Sequence, residues 1–209
     1  MKQIIFICTL LFSTLTIAQG NFEKGMTKAF DLWRNNQPWE AANLFERIAQ
    51  AEPDNWLPSY YVAQINVVYS FGEKDEAKLT AQLQKARDFL NDATAISKEN
   101  PELLVVEAQL YTAWIAFDGQ KYGMTYAGKV AEIYQRAAAI APNNPRVVLG
   151  KAEWDMGSAQ FWGKPTEPYC KDIEHAIELF ASFEPETPFH PRGGLERAQQ
   201  VLAESCKKE

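Results

Sequence analysis

The residues able to do covalent chemistry are few in this chain. There are only two histidines, His175 and His190, and a nucleophilic Ser or Cys needs a base within reach. No G-x-S-x-G run and no Cys in a His-paired motif is present. Glu174, His175 and Glu178 share one short helical stretch, but H-E-x-x-H or a second spaced His is missing, so a solvated helix face is expected and no metal site. Gly157 to Thr166 superficially resembles a phosphate loop. Its glycines are one residue too far apart, Pro165 interrupts the Lys-Ser/Thr pair, and it follows a helix where a strand is required. It is expected to be a loop. The acidic pairs Asp75-Glu76 and Glu184/Glu186 are expected to be surface carboxylates, not a glycosidase-like acid and base. The sequence therefore points away from an enzyme, with no catalytic set, cofactor or metal expected.

Charge narrows the partners further. A formal net charge of -6 and a pI near 5.1 provide no basic face for nucleic acid. The hydrophobic fraction of 46% and aromatic fraction of 12% in 209 residues are enough to build a core and argue against disorder. Lys2, the apolar run Ile4 to Ile17 and the small residues Thr16 and Ala18 read as a secretory signal over residues 1–18, cleaved after Ala18. The apolar run is short for a membrane-spanning helix. A periplasmic or secreted product with no membrane insertion after cleavage is expected. Cleavage removes Cys8 and leaves Cys170 and Cys206, which are able to pair in an oxidising compartment.

The elements that position these groups repeat. Ala41, Phe45, Ile48 and Pro53 are echoed by Ala86, Leu90, Ala93 and Lys98, by Val130, Tyr134, Ala137 and Pro142, and by Ile173, Ile177, Phe180 and Pro185. Steps of 4 and 3 put the first three of each set on one helical stripe, and the Pro stands beyond the helix end. The sets start 45, 44 and 43 residues apart, a solenoid period. Ten residues after Pro53, Lys98 and Pro142 come Ala63, Ala108 and Ala152, with Ala29 in the matching place of the first unit, 34 residues before Ala63. A small residue in mid-helix lets neighbouring helices approach closely.

A 34-residue helical hairpin with a mid-helix small residue followed by Ala-x3-Phe-x2-small-x4-Pro resembles the tetratricopeptide repeat (TPR) family, over roughly Phe22 to Glu186. Gly25, Ser59, Leu104 and Val148 stand where that family usually has an aromatic. Later units are lengthened by about ten residues, expected as insertions around Phe71-Gly72, Phe117-Asp118-Gly119 and Phe161-Trp162-Gly163. The resemblance implies an all-α, TPR-like α-solenoid of about four hairpins plus a C-terminal capping helix. Residues 19–209 form one repeat domain, with units near 22–53, 54–98, 99–142 and 143–186 and a cap near 190–207. Nine helices are expected, near 23–35, 38–51, 56–70, 74–97, 102–117, 124–140, 146–160, 168–183 and 192–206. Asn or Asp before the helices and Pro38, Pro101 and Pro145 in first turns agree. Antiparallel pairing of the last two helices, about a turn near Thr187-Pro188, would bring Cys170 and Cys206 together as a disulfide.

In such arrays the first helices line the concave side. The positions beside each small residue form a column of Met26, Phe30, Trp33; Tyr60, Gln64, Val67; Val105, Gln109, Thr112; and Leu149, Glu153, Met156. Phe30, Trp33, Tyr60, Gln64, Gln109, Thr112, Glu153 and Met156 are the expected binding groove, and a protein or peptide is the expected partner, held by a non-catalytic scaffold. The Lys and Asn with which similar proteins clamp a terminal carboxylate are not matched here. The alternative is a small-ligand or oligosaccharide-binding protein that uses aromatic-rich insertions near Tyr111, Trp114, Phe117, Trp154, Phe161 and Trp162.

Overall fold

Five of the helices start from an Asn or Asp whose side chain caps the first free backbone amides. Asn55 accepts from the amide of Leu57, Asp75 from Ala77 and Lys78, Asn100 from Glu102, Asp118 from Lys121, and Asn144 from Arg146. The computed structural model describes residues 20–206. The expected signal segment 1–18 lies outside the described residues. The order is α1 (residues 20–34), α2 (Pro38–Ala51), α3 (Trp56–Val68), α4 (Glu76–Ile96), α5 (Pro101–Phe117), α6 (Gly119–Ile140), α7 (Pro145–Phe161), a 3-10 turn (Glu167–Tyr169), α8 (Cys170–Ser182), α9 (Leu195–Val201) and a closing π turn (Leu202–Cys206). There is no strand among the described residues. Each hairpin packs on the next: α3 touches α5, and α5 touches α7. The architecture is all-α, four helical hairpins followed by a C-terminal cap.

The repeated stripes are the core. Ala29, Ala63, Ala108 and Ala152 are buried between first helices, and so are Ala41, Phe45, Ala86, Leu90, Val130, Tyr134, Ile173 and their stripe partners in the first three units. Polar contacts then recur at one repeat period. Gln64 donates to Gln109 across 45 residues, Lys121 and Tyr122 donate to Glu76 across 45 and 46, and Arg146 donates to Glu102 across 44. Arg197 completes the series by donating to Glu153 across 44.

Three local expectations are corrected. The extra residues of the third unit do not form a loop: α6 begins at Gly119, one residue after α5 ends. Asp118 caps it, and Lys121 and Tyr122 fasten its first turn to Glu76 of the preceding unit, holding the Glu76 carboxyl below its usual range. The expected loop from Gly157 starts later, because α7 runs on to Phe161. The last helix starts at Leu195, three residues late, since Gly194 adopts φ +129° against the Phe180 ring. The Cys170–Cys206 disulfide is formed, with Cα atoms 5.7 Å apart. No helix among the described residues is long and apolar enough to cross a membrane.

Candidate binding site

The chain itself covers the two ends of the column of first-helix residues. Met26, Tyr60, Val67, Val105, Leu149 and Met156 are buried, while Phe30, Trp33, Gln64, Gln109, Thr112 and Glu153 are half-buried. Gln64 and Gln109 spend their amides on each other at 3.4 Å, and the Thr112 hydroxyl bonds back to the Ala108 carbonyl at 2.8 Å. Glu153 accepts from Arg197 at 2.7 Å, and burial raises its carboxyl above the usual range against the pull of that arginine. At the other end, Phe189 stacks parallel to Phe30 with ring centroids 6.3 Å apart and meets Phe22 edge-on. The Tyr61 hydroxyl donates to the Phe189 carbonyl at 2.7 Å, and Trp33 packs edge-on against the Tyr61 ring. His190 sits against Trp56, its Nδ1 paired to the Thr187 hydroxyl at 2.8 Å. Residues 183–194 are thus a strap laid over α1 and α3, and α9 lies over α7. Burial raises the phenols of Tyr60 and Tyr61 well above their ordinary value.

The apolar side chains left in solvent lie elsewhere. Trp39, Val68, Tyr69, Phe71, Met124, Phe161 and Trp162 sit in or beside the turns that join the two helices of each hairpin, leaving only Ile96 and Ile140 at the opposite end among the exposed large apolar residues described. Met124 is 93% exposed, Phe161 74% and Trp162 69%. Trp39 and Tyr69 touch at 5.7 Å, Phe161 and Trp162 at 5.1 Å, and Trp114 packs on Tyr122 at 4.8 Å. Tyr111, by contrast, is buried, and Trp114, Phe117 and Trp154 are half-buried against the main core.

Between the second and third hairpin tips this edge opens into a cavity of about 460 Å³, lined by Ser70, Phe71, Gly72, Glu73, Lys74, Ala113, Ala116, Phe117 and Asp118. Its shape follows from local sequence. Ser70 returns its hydroxyl to the Val67 carbonyl and ends α3, Gly72 takes φ +99°, and Glu73 accepts from the amides of Lys74 and Asp75. Those two backbone bonds hold the Glu73 carboxyl below its usual range. Ala113 and Ala116 leave the space that larger residues would fill, so Phe71 and Phe117 stand as aromatic walls with Lys74 beside them. The chemistry on offer is flat apolar contact rimmed by one ammonium, Lys74, and two carboxylates, Glu73 and Asp118, each with an oxygen accepting from backbone amides, an arrangement that suits binding.

Of the acidic pairs, Asp75-Glu76 is structural, with Asp75 capping α4 and Glu76 holding α6, while Glu184 and Glu186 are exposed on the strap. His175 reaches only Glu178, at 3.7 Å on an exposed face, and no group of three possible metal-binding side chains occurs among the described residues. Sequence reasoning missed the pair Glu102–Arg146, in which Nε and Nη2 donate to the two carboxylate oxygens at 2.6 Å each and Asn144 adds a third bond at 2.6 Å. Its signal was present, since Asn100-Pro101-Glu102 and Asn144-Pro145-Arg146 are the same motif one period apart with opposite charges.

No family model matches the chain, and no curated protein does. Among solved structures it is similar to the HusA haemophore from Porphyromonas gingivalis, with a TM-score of 0.76 and 23% identity over 89% of this chain and 94% of that one. The shared property is the helical fold. The likeness corrects the expected partner: the similar protein is named for a small-molecule cargo, haem, and as a carrier rather than an enzyme, so a protein or peptide on the concave face is withdrawn.

Proposed function

We propose that this chain is an exported, non-catalytic carrier of a small, flat, largely apolar ligand of the haem class, held at the aromatic edge formed by the hairpin turns. The observation that carries the reading is the cavity between Phe71 and Phe117, on an edge where large apolar side chains remain in solvent. A porphyrin presents two broad faces that aromatic walls cover well, and its acidic side groups find the Lys74 ammonium on the side turned away from the Glu73 and Asp118 carboxylates, which accept from backbone amides. About 460 Å³ is within the ordinary range of small-ligand sites. The likeness to a haemophore supports the ligand class.

In this reading the hairpins are degenerate tetratricopeptide units with boundaries near residues 53, 98, 142 and 186, and residues 1–18 are a signal cleaved on export. Of the groove residues Phe30, Trp33, Tyr60, Gln64, Gln109, Thr112, Glu153 and Met156, Phe30 then serves to seat the strap and Glu153 the cap, while Gln64 and Gln109 join neighbouring first helices.

Titration with haemin, followed by its absorption band and by tryptophan quenching, tests the assignment. Saturable one-to-one binding is expected, weakened by about tenfold or more in Phe71→Ala/Phe117→Ala, because each aromatic contact contributes roughly 0.5–1.5 kcal/mol. Absence of binding, or affinity untouched by the double substitution, defeats the proposal.

A further inference from the structure

The strap is long for the few contacts that hold it down. Pro185, Pro188 and Pro191 remove backbone donors and Gly193 and Gly194 follow, so the segment joins no helix. Its described hydrogen bonds turn inward: the His190 amide donates to the Thr187 carbonyl, the Phe189 amide to the Thr187 hydroxyl, and Arg192 Nη2 to the Pro188 carbonyl. What ties it to α1 and α3 lies in three successive residues. The Phe189 ring meets Phe22 at 5.6 Å and Phe30 at 6.3 Å, its carbonyl accepts from the Tyr61 hydroxyl at 2.7 Å, His190 faces Trp56 at 5.5 Å, and Pro191 is buried. Between these residues and Phe183, whose ring lies 4.5 Å from the Arg146 guanidinium, the strap bridges a hollow of about 470 Å³ instead of packing flat.

Both ends are held independently of that latch. Ile173 and Ala176 of α8 share the small core with Ala198 and Val201 of α9, Arg197 ties α9 to Glu153, and the Cys170–Cys206 disulfide joins the two flanks covalently. Lifting the middle of the strap therefore breaks the contacts of Phe189, His190 and Pro191 and leaves the hairpin stack, the small core and the disulfide in place. Opening of this kind exposes few buried groups, so it costs less than unfolding the domain.

We propose that residues 183–194 form a hinged lid, latched by Phe189, which lifts from α1 and α3 with both ends attached and uncovers the aromatic rings of Phe22, Phe30 and Tyr61. Closed, the lid supplies the ring that covers these side chains from within the same chain; lifted, it leaves an aromatic face at the starts of α1 and α3, the end of the hairpins opposite the turns. The lid is thus separate from the edge site of the proposed function and does not depend on it.

The test is limited trypsin digestion of the full, disulfide-intact chain. Arg192 is the one basic residue of the strap, and cleavage there follows the population of the lifted form. A cut at Arg192 leaves the flanks joined through Cys170 and Cys206, so the products part only after reduction. The parent is expected to be cut at Arg192 before Arg87 and Lys129, which lie within α4 and α6. Phe189→Ala is expected to speed the cut at Arg192 by about tenfold or more. Tyr61→Phe, which keeps the ring and removes only the hydrogen bond to the Phe189 carbonyl, is expected to speed it by roughly threefold to tenfold. Cleavage at Arg87 and Lys129 should stay at the parent rate in both. If Phe189→Ala does not fold, Tyr61→Phe decides alone. The proposal is overturned if the parent is cut at Arg192 no sooner than at the helix sites, if the folded variants are cut there at the parent rate, or if the helix sites accelerate by the same factor.

Discussion

The first three hairpins and the fourth are built to the same pattern but held together differently. From Met26 to Val147 one continuous core runs through the first three units and into α7, with Phe45, Ile65, Leu79, Leu83, Val106 and Val130 fully buried along it. The face of α7 that turns the other way carries Leu149, Ala152 and Met156 into a second, small core with Ile173, Ala176, Ala198 and Val201. Ile177 and Phe180, which occupy stripe positions buried in earlier units, are only half-buried. Where apolar burial thins, the disulfide and the strap take over: Cys170 and Cys206 close a 36-residue separation, and Phe189 carries the far end of the same segment back onto the first core. The difference teaches that hairpins sharing a continuous apolar core hold without a cross-link, and that the C-terminal end, where that core thins to a few residues, carries one.

Removing Phe45 attacks the continuous core. Phe45→Ala is expected to cost about 3–5 kcal/mol, a larger loss than Phe180→Ala produces in the small core. Urea midpoints of the two variants compare the regions directly, and equal losses would abolish the contrast. Cutting the covalent tie attacks the other side. Cys170→Ser/Cys206→Ser is expected to cost about 3–4 kcal/mol by the chain-entropy estimate. Hydrogen exchange should then rise in α8, the strap and α9 before it rises in α3 to α6. Uniform acceleration would show that the C-terminal region is no weaker than the rest.

Gly150 marks the seam between the regions, where α7 presses on α6. A Cβ there would come within 2.8 Å of the Tyr134 ring, so Gly150→Ala is expected to lose about 1–3 kcal/mol, read as a lowered melting temperature. Alkali provides the finest probe. Burial raises the phenols of Tyr60, Tyr61 and Tyr134 above the ordinary value of 10.0, all within the larger core. The folded chain then keeps protons that the unfolded chain loses, so stability falls as pH rises above that value. Tyr134→Phe should lessen the fall by about 1 kcal/mol between pH 10 and 11, measured by denaturant midpoints. A pH profile unchanged by the substitution would place that phenol in water.

Much of the fold was legible because repetition averages out local ambiguity. The spacing of Ala41, Phe45 and Ile48 recurs with buried side chains through Val130, Tyr134 and Ala137, and the Asn and Asp caps stand at the helix starts. Misreadings fell where a contact one period away outweighed local signals. The run Phe117-Asp118-Gly119 suggested an inserted loop, yet Glu76 draws Lys121 and Tyr122 into the first turns of α6. The aromatic turns were visible in the sequence as Phe71, Phe117, Phe161 and Trp162. Which of them would border a cavity was not, because Phe71 and Phe117 line it from two successive hairpins.

Sequence alone determined the helices, their period, their caps and the stripes that stack, since these depend on residues within a few turns or one repeat of each other. Only the tertiary structure decided which faces stay open. Phe189 lies 159 positions from Phe30, and no periodic pattern announces that the strap returns to cover α1. The route of an irregular segment depends on the shape and chemistry of the surface it lands on, and that surface exists only once the hairpins have packed.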